Sequence, residues 1–313
     1  MKKLISVFLC LAILLLCGCS AYINESDGDK ISPLDQELVS SRNASIPLYF
    51  RFYSEEMLMR LPISIETGQH QQPEYFAINA LIAGPAGAHN AAKSCFGKQT
   101  KLVSVEQNGE YLFVTLSEGF LLDTKANDLE QTRTNRRLAL YSIVNTVCEM
   151  GSFRAVQIFI STEQGARRPD AYQMGISDTD DGGALGPLTR ATEYILTPSG
   201  AAKQALKHYS ALEWQKLYYY LTDKTDAQKT LPILEDMINE FEYKNLVLSE
   251  FLAEDNYTVS DDGRNAIVTV TLKIRSQNSA QYSVQSFPLE LVQKNSCWLV
   301  CYESFLRALE VTA

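Results

Sequence analysis

The feature that most constrains this chain is its longest apolar run, Leu4 to Cys17, preceded by Lys2 and Lys3 and closed by Gly18 and Cys19. The run is about fourteen residues, short of the roughly twenty that a membrane-spanning helix needs. It therefore reads as the apolar centre of a signal peptide rather than a permanent span. No later run approaches spanning length. The remainder is expected to fold in water around its own cores, and a chain nearly half apolar can supply cores for two modest domains.

The stretch Leu16-Cys17-Gly18-Cys19 resembles a bacterial lipobox, with an aliphatic residue three before the acceptor cysteine and a small one just before it. Cys17 departs from the Ala, Ser or Thr common at the position between them. The resemblance implies cleavage after residue 18 and a covalent diacylglycerol thioether on Cys19, the one lipidation site. Each buried acyl methylene contributes about 0.8 kcal/mol, so two or more chains hold a soluble body stably on a bilayer. An ordinary secretory signal with an incidental Cys19 is the alternative. Both readings place the rest outside the cytoplasm, and the lipobox reading places it on the outer face of the cytoplasmic membrane. Apart from that lipid, no cofactor is expected.

Loss of residues 1–18 removes Lys2 and Lys3 and moves the formal charge from −9 to −11. That balance argues against nucleic acid, whose phosphates require a basic face, and against adsorption to anionic headgroups, leaving the lipid to anchor the chain. The other cysteines of the mature chain are Cys95, Cys148, Cys297 and Cys301. The last two, four apart on an expected strand, are roughly 13 Å apart at ~3.3 Å per residue, too far for a disulfide. Cys95 with Cys148 is geometrically open, though buried free thiols are the simpler reading.

Chemistry is sparse. The histidines are His70, His89 and His208, and there is no Gly-x-Ser-x-Gly turn, HExxH helix or Cys-x-x-Cys pair. Asp178-Thr179-Asp180-Asp181-Gly182 superficially resembles a calcium loop, but Thr189 stands where the bidentate Glu belongs. No catalytic residue and no metal site are assigned, and the chain is expected not to be an enzyme.

Along the chain, 19–45 is polar and reads as a flexible tether. Strands are expected over 48–53 and 58–65, a helix from Pro73 to the stop at Gly84-Pro85, and strands over 100–106 and 110–117 joined by a type I′ turn at Asn108-Gly109. A helix over 134–150 follows, with Leu140, Ile143, Val144 and Val147 as its apolar face and Ser142, Asn145, Thr146 and Glu149 at polar positions. A strand over 155–161 closes a two-layer α+β sandwich.

Asn79-Ala80-Leu81-Ile82-Ala83-Gly84-Pro85, the segment from Gly109 to Phe120, and the Ser142-Ile143-Val144-Asn145-Thr146-Val147 helix leading into Val156-Gln157-Ile158-Phe159-Ile160 resemble the GerMN domain of sporulation and spore-germination proteins. The resemblance covers 46–165. It departs at Phe96-Gly97-Lys98-Gln99-Thr100, where the family commonly has a P-x-G-T pattern, and in the additional Cys95. It implies an envelope role in sporulation or germination.

Residues 166–190 read as a linker, and Arg136-Arg137 and Arg167-Arg168 as solvated basic pairs. From 191 onward, helices over 199–221 and 230–241 precede strands over 246–259, 265–275, 281–294 and 297–305, with tight turns at Asp261-Asp262-Gly263 and Asn295-Ser296. Residues 213–221 and 292–298 resemble the nuclear-transport-factor-2-like cone, a curved antiparallel sheet wrapped on helices, covering 191–313. In such a cone the cluster Trp214, Tyr218, Tyr219 and Tyr220 is a candidate lining for a ligand pocket, with Trp214 and Tyr218 foremost, although core packing is the simpler role for those two.

Taken together, the sequence reads as a lipid-anchored, non-catalytic interaction or assembly module of the cell envelope. Its partners would be the cytoplasmic membrane through the lipid, and other envelope proteins or peptidoglycan. The alternative is a lipoprotein that binds a small apolar ligand or a wall glycan in the cone.

Overall fold

Leu48, Phe50 and Phe52 alternate along Arg42–Phe52 (β1) and pack on one side of it, while Tyr49 is equally buried on the other. A strand apolar on both faces belongs between two layers, and here it pairs antiparallel with Leu58–Thr67 (β2) from Arg42↔Thr67 to Arg51↔Leu58. The computed structural model describes residues 42–67, 72–87, 90–224, 228–279 and 283–310. β1 thus begins four residues inside the stretch read as a tether. The signal peptide, Cys19 and the rest of that stretch lie outside the described residues, as do His70 and His89.

The protein is α+β, with its strands divided among three sheets. Pro73–Ala83 (α1) starts on proline, as expected, and stops at Gly84, whose φ of +91° lets its N–H reach the Ala80 carbonyl. Ala92–Lys93 (β3) completes the first sheet in the order β2-β1-β3. Leu102–Asn108 (β4) and Tyr111–Ser117 (β5) form the expected hairpin, but its two turn residues are Gly109 and Glu110. Of these only Gly109 has positive φ, at +60°, so the glycine leads a type II′ turn instead of following Asn108 in a type I′ turn.

Gly119–Asp123 (α2) and Leu129–Glu149 (α3) then cross over to Ala155–Thr162 (β6), which runs parallel to β5. The second helix begins five residues before the expected start. Its signal is Asp128, whose carboxylate accepts from the Gln131 N–H at 2.7 Å, an N-cap with Gln at the third helical position. Gly165–Arg167 (β7) and Leu188–Thr189 (β8) both pair antiparallel with β6, along the edge that β5 leaves open.

The departures from the family pattern have local reasons. Thr100 donates from its N–H and its hydroxyl to one Asp123 oxygen, at 2.6 and 2.8 Å. A Cβ on Gly97 would sit 2.5 Å from the Asp123 carboxyl carbon, and one on Gly119 only 2.2 Å from the Gln99 carbonyl oxygen. The backbone at Gly119 cannot yield as a side chain would. Gly119→Ala is expected to lower the unfolding free energy by about 1–3 kcal/mol in urea titration, the range of an overpacked site. A wild-type midpoint would show that the loop relaxes freely.

Residues 166–190 pack on this half. Arg133 stacks over Tyr172 at 4.1 Å and donates to the carbonyls of Tyr172 and Ser177, while buried Gln157 donates to Leu185 O at 3.0 Å. Arg136 and Arg137 likewise donate to the carbonyls of Gln173 and Gly175. They clamp this stretch and are not simply solvated. Arg167 and Arg168 are exposed.

The second half opens with a 3-10 turn at Thr192–Tyr194, then Pro198–Ser210 (α4), capped by the Thr197 hydroxyl on Gly200 N. The single helix expected over 199–221 is two. Leu212 takes φ +57°, the chain turns through 211–213, and Trp214–Tyr219 (α5) follows. Leu221–Thr222 (β9) pairs with Cys297–Cys301 (β13), and Leu234–Lys244 (α6) ends on Asn245 in the left-handed region.

Leu246–Val259 (β10) matches its expected span, and Asn265–Ser276 (β11) and Ser283–Lys294 (β12) nearly do. The sheet runs β10-β11-β12-β13-β9. Asn295 and Ser296 both have positive φ, so the type I′ geometry belongs to this turn. After β13 the chain becomes a helix, Tyr302–Leu309 (α7), where a strand was expected to continue to residue 305. Tyr302, Phe305, Leu306 and Leu309 recur at helical spacing, and all are buried.

One buried apolar cluster runs from Phe50 and Phe52 through Leu217 and Tyr220 to Val300, so the halves meet over a packed surface. Asn145 of α3 donates to the Ala191 carbonyl at 3.0 Å and accepts from its N–H at 2.9 Å, while Leu196 N donates to Leu58 O at 2.8 Å. These bonds fix the chain where it enters the second half. Among the described residues no helix is long and apolar enough to cross a membrane.

Candidate functional site

Directly after β1, Tyr53 takes a left-handed conformation, φ +48°. Bulky residues avoid it, and such strain costs on the order of 1–3 kcal/mol. The Tyr53 ring lies flat on Tyr219, with centroids 4.0 Å apart and planes 10° from parallel. Phe52 meets Tyr53 edge-on at 4.9 Å and Tyr220 at 5.1 Å. Stacking against a residue on the other half helps hold Tyr53 in a backbone state it would otherwise leave.

These rings form one wall of a cleft of about 400 Å³ between the end of β1, α5 and the β12–β13 turn. That volume is in the ~300–1,000 Å³ range of small-molecule sites. Tyr218 and Leu231 continue the apolar lining, and Gln215, Asp223, Lys294 and Asn295 stand at the polar part. The Tyr218 hydroxyl donates to Pro232 O at 3.1 Å, and the Asp223 carboxylate accepts from the Leu231 N–H.

Of the two rings singled out in the sequence, Tyr218 is therefore in the cleft wall. Trp214 turns into the core, stacked on Phe241 at 5.6 Å and edge-on to Tyr209. Tyr219, in the same aromatic run, is in the wall as well, and Tyr53 was not anticipated. No local signal marks Tyr53, because its role depends on a backbone angle and on a partner far away in sequence.

Cys297 lies at the base of the cleft, 3% exposed, with its thiol 3.7 Å from the Met59 sulfur. Burial pushes this thiol up to about 12. At pH 8 the thiolate fraction is then on the order of one in ten thousand, and the thiolate is the reactive form. Native protein at pH 8 is expected to leave Cys297 unmodified by iodoacetamide over a time in which the urea-unfolded chain is fully alkylated, read by peptide mass spectrometry. Equal labelling of both states would mean that the cleft opens to its base. All four described cysteines are free thiols.

Behind the aromatic wall is a charged cluster that joins the halves. His208 of α4 is 2% exposed, its Nε2 lies 2.9 Å from Glu55 and its Nδ1 lies 2.7 Å from Glu213. Glu55 comes from the β1–β2 turn and is itself buried, and the Tyr220 hydroxyl lies 3.5 Å from the same oxygen. Lys216 donates to the other Glu213 oxygen at 2.9 Å. Hydrogen bonds from Lys216 and then His208 hold the Glu213 carboxyl below its ordinary value, while burial and the neighbouring Glu55 push the Tyr220 hydroxyl far above its own. Among the described residues no three His, Cys, Asp or Glu side chains are placed to hold a metal ion.

Residues 47–164 match the Germane family model, described as sporulation and spore germination. The matched segment spans β1 to β6 and contains Tyr53 and Glu55. Among solved structures, the tandem GerMN domains of the sporulation protein GerM from Bacillus subtilis align at 16% identity and a TM-score of 0.33, over 50% of this chain and 48% of that one. This chain thus spans about half the length of that structure. A putative lipoprotein from Clostridium perfringens aligns at 19% identity and a TM-score of 0.24, over 38% of this chain and 76% of that one. The intermembrane space region of the chloroplast protein ARC6 aligns at 20% identity and a TM-score of 0.22, over 33% and 92%. No curated protein matches the chain.

Proposed function

We propose that the protein is a lipid-anchored, extracytoplasmic interaction module of the cell envelope that serves sporulation or spore germination without catalysing a reaction. The observation that carries this reading is the Germane match over 47–164. The apolar N-terminal run ending at Cys19 supports export and acylation, with the diacylglycerol on Cys19 as the only prosthetic group. The geometry agrees with a non-catalytic role. His208 has both ring nitrogens engaged by carboxylates and neither free to serve a nucleophile. In this reading the second half is a nuclear-transport-factor-2-like domain, and the partners are the cytoplasmic membrane and other envelope proteins or peptidoglycan. Nucleic acid is no partner in this reading, since a net charge of −9 gives its phosphates no overall attraction.

The test is mass spectrometry of the native amino terminus together with detergent-phase partition. An acylated Cys19, and loss of detergent partition in Cys19→Ser, are expected. An unmodified residue 19 in native material would overturn the anchor. Disruption of the chain in its host is expected to lower spore yield or germination. Normal values of both would overturn the developmental role.

A further inference from the structure

We propose that the tyrosine cleft is a saccharide-binding site, and that its ligand is an N-acylated sugar carrying a carboxylate. The proposal gives chemistry and location to the binding of a wall component and is independent of the lipid anchor. The site is the seam between the halves, with Tyr53 of the Germane-matching segment as one of its walls.

Three observations select this ligand class. The first is the pair of stacked, part-exposed rings, Tyr53 and Tyr219, with Tyr218 beside them. An aromatic face carries negative charge density, and the C–H groups on one side of a pyranose ring present a weakly positive apolar surface that packs on it. The second is the polar half of the lining. The side-chain amides of Gln215 and Asn295 are exposed and make no hydrogen bond to any described residue. A lipid tail filling the cleft would cover these amides and Lys294 without offering them partners. Sugar hydroxyls and an N-acyl group offer both donors and acceptors. The third is Lys294, an exposed ammonium with no ion pair to any described residue, in a chain of net charge −9. With Asp223 already accepting from Leu231 N on the same cleft, an anionic substituent is the partner Lys294 lacks.

The strain at Tyr53 points the same way. A left-handed tyrosine persists where its surroundings hold it, and such residues cluster at ligand sites. That conformation also supplies a clean variant. Glycine tolerates φ +48°, so Tyr53→Gly removes the ring and leaves the turn able to form.

The experiment is titration calorimetry on the full-length chain in detergent micelles with three probes: N-acetylmuramic acid, neutral N,N′-diacetylchitobiose, and dodecanoate. The muramyl probe is expected to bind, and Tyr219→Ala and Tyr53→Gly each to weaken it by about tenfold or more, as loss of an aromatic anchor does. Lys294→Gln is expected to weaken the muramyl probe about three- to tenfold and to leave chitobiose unchanged. Cys19→Ser should bind as the native chain does, which separates this result from the fate of the anchor. Circular dichroism checks that each variant is folded. No sugar binding at millimolar concentration, binding by dodecanoate alone, or sugar binding unchanged in both tyrosine variants would each overturn the proposal.

Discussion

Replacing His208 by alanine is expected to lower the unfolding free energy by about 2–3 kcal/mol, the upper part of the cost of leaving a buried polar group without its hydrogen-bond partner. The reason lies in what remains. Among the described residues Glu55, 7% exposed, faces His208 Nε2 at 2.9 Å and has the distant Tyr220 hydroxyl as its one further side-chain hydrogen-bond partner. An ionised carboxylate accepts hydrogen bonds and donates none, so without the imidazole its charge is buried with little to compensate it. The double variant His208→Leu with Glu55→Leu removes the charge with its partner and is expected to recover most of the loss. Equilibrium urea unfolding reads all of these. A loss below about 1 kcal/mol in His208→Ala would falsify the view that this pair bolts the halves together.

The acid limb of the same cluster has a definite sign. The folded carboxyl of Glu213 is held below its unfolded value by Lys216 and His208. Its contribution is therefore present above the unfolded glutamate value, about 4.3, and is lost as pH falls through the folded one. Because Glu213 is more than one third exposed, the effect is small beside that of His208→Ala.

Which parts of this were legible in the sequence follows from the range of the interactions. β10 and the Pro73–Ala83 helix were readable because their signals, alternating side chains in one and a proline start with a glycine stop in the other, act over a few residues. The Gly109 hairpin was readable too, although the turn register slipped by one, because Asn-Gly suits one two-residue turn and a leading glycine suits another. The cap at Asp128 and the helical spacing in Tyr302–Leu309 were present but outweighed, the second by the β-rich Cys297–Cys301 just before it.

The break at Leu212 was harder to see. Leucine is a poor marker of positive φ, and the turn is stabilised by Glu213, whose N–H donates to the His208 carbonyl while its side chain bonds the His208 ring. The cleft and the His208 cluster were hardest, since Tyr53 meets Tyr219 and Glu55 meets His208 across more than 150 residues. Local pattern carries no register for such pairs.

The polar face of α3 shows how periodicity alone can mislead, and it sets the second large expectation. Ser142, Asn145, Thr146 and Glu149 recur at helical spacing, which ordinarily marks a solvated face. Instead Ser142, Asn145 and Thr146 are at most 1% exposed. Ser142 donates to Tyr49 O at 2.7 Å, and Thr146 accepts from Tyr49 N at 3.1 Å. Glu149 ties the Tyr49 hydroxyl to Arg60 and Arg190. The helix is therefore buried on two faces, one apolar and one satisfied by backbone groups that the sequence pattern does not show.

Asn145 is the member whose loss costs most, because its amide serves both the N–H and the carbonyl of Ala191. Asn145→Leu leaves two buried backbone groups unpaired at about 1–3 kcal/mol each, so a loss of about 2–5 kcal/mol is expected. Ser142→Ala, which breaks one bond to a strand carbonyl, should cost about 1 kcal/mol. Urea titration of the two variants separates a buried polar seam from a merely tolerated one. Near-native stability in Asn145→Leu would mean that water reaches Ala191 and that the seam is not closed. Those two bonds hold the point at which the chain leaves the first half and enters the second.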